Sequence, residues 1–116
     1  MDSFITNNGA WLINDLAIDC YIDARKDGLW PNKSAEIDAL CAERIAYIHC
    51  ELSKALEGFD GRALDDELPK SGRAEMRLAV AVLSIFELSA AMGHDIGSAM
   101  QLKVNDTLRL RRETHD

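Results

Sequence analysis

Two side chains set the chemical question. In the stretch IHCELSKALEG, Ile48 to Gly58, Glu51 and Lys54 stand three residues apart. Residues at that spacing are neighbours on a helix surface. The apolar residues around them, Ile37, Leu40, Cys41, Ile45, Ile48, Leu52, Ala55 and Leu56, recur every three or four positions and make one helical face. At about 100° per residue, Glu51 falls near the edge of that face, beside Leu40, and Lys54 lies about 60° away from it. A carboxylate beside an apolar seam needs a partner, and Lys54 can be that partner. A second polar group comes later. Arg73, Arg77, Ser84 and Glu87 fall at helical spacing along one stripe, with Val80 in its middle. The stripe reads either as a narrow solvent face or as the polar wall of a pocket.

Other residues with chemical potential read more plainly. His49 is two residues from Glu51, and helix residues two apart point in widely different directions, so it reads as exposed or one step removed from the site. His94 follows Gly93 and reads as a turn residue. Trp30 is either a loop aromatic able to stack on a base or, more in keeping with its size, a packing residue. Arg109, Arg111 and Arg112 form a basic cluster that complements a helix C-terminus.

Four helices must position these groups. The first spans about Gly9 to Lys26 and carries Trp11, Leu12, Leu16, Ile18, Tyr21 and Ile22; KDGLWPNKS then breaks it at Gly28 and Pro31. The second runs from Ser34, an N-cap by type, to Glu57. A connection, GFDGRALDDELPKSG, leads to the third, Arg73 to Met92, whose LAVAVLSIFELSAAM is apolar nearly all round and implies a central, most buried helix. Gly93 stops it, and Asp95 can cap the fourth, Ile96 to Arg111, with Met100, Val104 and Leu108 toward the core. The expected architecture is one all-α domain over residues 1–116, a compact four-helix bundle. A bundle with so apolar a helix also implies pairing with further copies, as a homodimer or higher homo-oligomer.

Composition narrows the partners. Thirteen Lys and Arg against twenty Asp and Glu leave a net charge of −7 across 116 residues. A field of that sign disfavours nucleic acid and anionic membranes as partners. Cys20, Cys41 and Cys50 have no CxxC spacing, which argues against a zinc site or disulfide framework and for buried reduced thiols in a cytoplasmic protein. No segment approaches the roughly 18 apolar residues of a membrane span. MDSFITNNGA lacks the basic-then-apolar pattern of a secretory signal.

The stretches IHCELSKALEG, LDDELP and EMRLAVAVLSIFELSAAMGHDIGSAMQLK resemble, in order and spacing, the MazG-like family, a branch of the all-α nucleoside triphosphate pyrophosphatases. Gly28, Leu29 and Trp30 stand where members of that family show a Gly-Phe-Trp-like loop, and the similarity covers roughly residues 28 to 110. The resemblance implies ExxE on one helix and ExxD on the next, four carboxylates holding magnesium, which grips a triphosphate and activates a water to release a nucleoside monophosphate and pyrophosphate. Glu51 matches the first glutamate. Lys54 replaces the second, and RLAV stands for ELAD, with Arg77 for glutamate and Val80 for aspartate. Glu75 is acidic but lies on a different face from Arg77. Lys103 matches a family lysine; the family's downstream Asn and Arg fall on Thr107 and Leu110, with Asn105 and Arg109 close by. Glu51 is thus the only matched metal ligand.

Three functional classes follow. In the first, the chain is a noncatalytic relative in which Lys54 and Arg77 pair with Glu51, with Glu57 nearby, as an internal salt-bridge network. A sharper form has these cations hold the phosphate of a nucleoside triphosphate without metal, Arg being suited to bidentate contact. In the second, the chain is an active magnesium-dependent enzyme whose site is rebuilt from Glu51, Glu57, Asp60, Asp65, Asp66 and Glu87, with Glu51 and Glu87 approaching across facing helices. In the third, it is a helical protein-interaction module. The candidate site is Glu51, Lys54, Arg77, Glu87 and Lys103.

Overall fold

A computed structural model describes residues 5–59, 64 and 72–115. It contains α1 (Asn7–Lys26), α2 (Ser34–Glu57), α3 (Arg73–Ala91) and α4 (Ile96–His115). Among the described residues there is no strand, only an isolated bridge between Leu64 and Gly72. The all-helical, four-helix reading therefore holds. Asp60, Asp65 and Asp66 lie outside the described residues. No single helix is long and apolar enough to cross a membrane.

Local chemistry explains the helix ends. Thr6 starts α1 two residues earlier than Gly9, because its Oγ1 accepts from Gly9 N at 3.0 Å. Ser34 is not a cap but the first residue of α2; Lys33 holds the cap position and makes no side-chain bond there. Gly28 and Gly93 take φ of 79° and 74°, the left-handed turn that ends a helix cheaply only at glycine. Asp95 caps α4 as expected, its Oδ1 accepting from Ser98 N at 3.0 Å and from Asn14 Nδ2 at 2.6 Å. Those bonds, Asn14's above all, hold its carboxyl below the usual carboxylate value. Helix α4 runs past Arg111 to His115; Arg109 bridges Asp106 and Glu113 at 3.0 and 2.8 Å, one turn to either side.

The helices form an open layer. Helix α3 packs between α2 and α1, α4 lies on α1 and touches α3 slightly, and the backbone of α2 approaches neither α1 nor α4. The order of neighbours is α2–α3–α1–α4, and the ring that would make a compact bundle does not close. Principal extents are 48 × 42 × 23 Å and the radius of gyration is 16.8 Å, against about 13 Å for a compact chain of this length. The expected compactness is corrected accordingly.

Small residues set the approach of the helices. Ala10, Ala17 and Ala24 recur every seven residues of α1 and are buried. At Gly97 a Cβ would stand 2.1 Å from the Ala10 carbonyl oxygen, so only glycine permits the α1–α4 crossing. The core cluster is Ala24, Trp30, Ile48, Ala81 and Leu88, with Tyr21, Ile37, Leu40, Cys41 and Ala91 packed against it. Two expectations change here. Helix α3 is central but not buried all round, since Leu78, Val82, Leu83 and Ile85 are exposed. The thiols are free, yet Cys20 and Cys41 are only partly buried and Cys50 is exposed.

Candidate functional site

The candidate residues converge on the seam between α2 and α3. Pairing of Glu51 with Arg77 and of Arg44 with Glu87 runs in opposite directions along the two helices, which are therefore antiparallel. Arg77 and Glu87 meet α2 at this seam, and Val80 and Ser84, both partly buried, fall between them on the same stripe by helical spacing. The polar stripe of α3 is thus neither a solvent face nor a pocket wall. It is the interhelical contact.

Glu51 is the most enclosed charged side chain described, only 1% exposed. Its Oε1 accepts from Lys54 Nζ at 3.2 Å and its Oε2 from Arg77 Nη1 at 3.1 Å. The two partners differ in setting. The Lys54 side chain is 50% exposed and the Arg77 side chain 12%. Arg77 is therefore the buried counter-charge, while Lys54 meets both the carboxylate and solvent. The sequence-expected pairing of Glu51 with both cations is what the structure contains. Among the described residues no buried side-chain nitrogen or oxygen lacks a partner.

Glu87 belongs to a second group. Its Oε1 accepts from Trp30 Nε1 and from Arg44 Nη2, the latter at 3.2 Å. The Arg44 guanidinium lies 5.7 Å from the Trp30 ring centroid and 5.4 Å from that of Tyr47, within cation–π range. Tyr21 meets Trp30 edge to face at 5.9 Å. Trp30 is 4% exposed, so it packs rather than offering a face to a base. Glu87, Asp19 and Asp23 add to burial in pushing the Cys20 thiol upward, with burial the largest cause. Sequence reasoning passed over Arg44. The available signal was its place seven residues before Glu51 and four before Ile48, inside the apolar face of α2.

Several candidates are not brought together. Glu51 and Glu87 sit on facing helices, but each is taken up by its own cation. Glu57 is exposed at the end of α2, and His49 and His94 are exposed. Lys103 is exposed on α4, whose backbone does not approach α2. It lines an open concavity of about 350 Å³ with Val104, Thr107, Leu108 and Arg111.

These residues do not fit a magnesium centre. Magnesium needs several oxygen ligands in near-octahedral array. Glu51 offers one carboxylate with a cation at each oxygen, and a divalent ion there would meet two like charges at close range. Among the described residues no group of three or more His, Cys, Asp or Glu could hold a metal ion. Compared with protein-family models, with curated proteins and with solved structures, the chain finds no match.

Proposed function

We propose that this chain is a noncatalytic helical protein of MazG-like character, in which the place of an ion-binding carboxylate cluster is taken by an ion-paired triad. The single observation that carries this reading is Glu51, buried and held at one oxygen by Lys54 and at the other by Arg77. A buried carboxylate so held fixes the register of α2 on α3 instead of gathering metal. The MazG-like element of the proposal rests on the sequence pattern from IHCELSKALEG to AMQLK.

One observation favours a phosphate-holding role at the same place. The Lys54 ammonium carries three donors and its side chain is half open to solvent beside Arg77. A phosphate could join Lys54 at the rim of the seam without displacing Glu51. Titration calorimetry with nucleoside triphosphates in EDTA tests this. Heat of binding that persists in EDTA and disappears in Lys54→Ala supports the role; binding that requires magnesium contradicts it.

A further inference from the structure

We propose that the distal half of α4 docks an acidic amphipathic helix of a partner protein, along the concavity lined by Lys103, Val104, Thr107, Leu108 and Arg111. The inference is independent of Glu51, Lys54 and Arg77, which lie on α2 and α3.

Helix α4 outruns the helix it packs on. Its partners step down α1 as they step up α4. Gly97 N donates to Asn14 Oδ1 at 2.7 Å, and Gln101 Nε2 donates to the Ile5 carbonyl at 2.8 Å and to Asn7 Oδ1 at 3.0 Å. The two helices are therefore antiparallel, and level with Gln101 α1 has reached its first residue, Asn7. Helix α4 continues to His115, about 21 Å further at 1.5 Å per residue. Helix α3 touches α4 only slightly and α2 not at all, so none of the described helices flanks this distal half. A helical stretch of that length is marginal on its own in water.

The surface it presents has a definite chemistry. Lys103, Thr107 and Arg111 step by four along one ridge, and Val104 and Leu108, both partly exposed, along the next. The groove between two such ridges is the shape that receives a ridge of a second helix. Its charge is one-sided. From Lys103 to Arg112, Lys103, Arg109, Arg111 and Arg112 stand against Asp106 alone. Arg109 takes up both Asp106 and Glu113, at 3.0 and 2.8 Å. Lys103 and Arg111 make no ion pair among the described residues, so the two ends of the groove keep uncancelled positive charge. The complement is a helix with apolar residues four apart and carboxylates beside them. An anionic membrane fits less well. Patches that bind one gather about 4–8 cations, and a flat anionic surface would also meet the field of a chain whose net charge is −7. A single helix lying along α4 meets the cations alone.

Fluorescence anisotropy of the full chain tests this. The probe is a fluorescein-labelled peptide of about 16 residues, long enough to form a helix, with Leu four apart on one face and Glu beside them. A scrambled peptide of equal composition has no apolar face, and a third peptide has Lys for each Glu. The acidic amphipathic peptide should bind, and the scrambled one several-fold more weakly. Lys103→Glu with Arg111→Glu should weaken binding roughly tenfold, as the loss of two exposed ion pairs implies, and should transfer it to the Lys peptide. Both substituted residues are exposed, and unchanged circular dichroism shows that the variant is folded. No binding up to millimolar peptide overturns the proposal. Equal binding of the scrambled peptide, or binding that the double variant leaves unchanged, overturns it too, because charge alone or another surface would then be responsible. Adsorption to phosphatidylglycerol vesicles without peptide binding assigns the face to lipid and overturns it. A dimer that the double variant dissociates and that takes no peptide assigns the face to a second copy, with the same consequence.

Discussion

Glu51 shows what a single residue can disclose. Its place at the margin of an apolar face meant that it had to find a cation, and Lys54 was in reach by spacing alone. That Arg77 provides the deeper half of the pairing was legible only as one of several readings, because the facing of α2 and α3 is a tertiary fact. Glu87 was less legible still. Its partners Arg44 and Trp30 come from another helix and from a loop, and the loop's path follows from packing rather than local pattern. The two cations of the triad should differ in energetic weight. Arg77→Met leaves a buried carboxylate with its exposed partner alone and should cost about 3 kcal/mol in urea unfolding. Lys54→Met removes a half-exposed pair, worth less than about 1 kcal/mol. Pairing Arg77→Met with Glu51→Leu should recover most of the loss, because no buried charge is then left unpaired and Lys54, half exposed, is met by solvent. Equal small effects for both single variants would contradict the burial argument.

At the scale of elements, the helices were legible because their ends carry recognisable chemistry: glycines that turn left-handed at positions 28 and 93, and an aspartate that caps at 95. Their faces were harder to read. The arginine-bearing stripe of α3 suggested solvent because charges usually face it, whereas here it opposes the charges of α2. The apolar run of α3 suggested full burial because hydropathy counts apolar residues without saying which neighbour covers each one. The α1–α4 crossing was invisible to such reasoning, since it depends on the absence of a side chain at Gly97. Gly97→Ala would place a Cβ against the Ala10 carbonyl. It should lower stability by about 2 kcal/mol, in the range of overpacking, seen as a lower melting temperature with α4 lifting from α1. An unchanged melting temperature would mean that the crossing is looser than the structure has it.

At the scale of the whole molecule, four helices were foreseeable and their arrangement was not. A closed bundle and an open layer have the same amphipathic pattern; they differ in whether α2 meets α4, which no local signal encodes. The open layer explains why so few large apolar side chains are buried among the described residues, and among these it leaves the polar seam between α2 and α3 as the one place where ionised groups are enclosed. The charges of that seam are satisfied among themselves, and the function proposed above follows from that: they would hold no catalytic metal. The most direct measurement is release of monophosphate and pyrophosphate from a panel of ribo- and deoxyribonucleoside triphosphates, with magnesium, with manganese and with EDTA. Folded protein should release neither product under any of the three conditions. Metal-dependent release that disappears in Glu51→Gln would contradict it, because Glu51 would then have to exchange its cations for a metal ion during turnover.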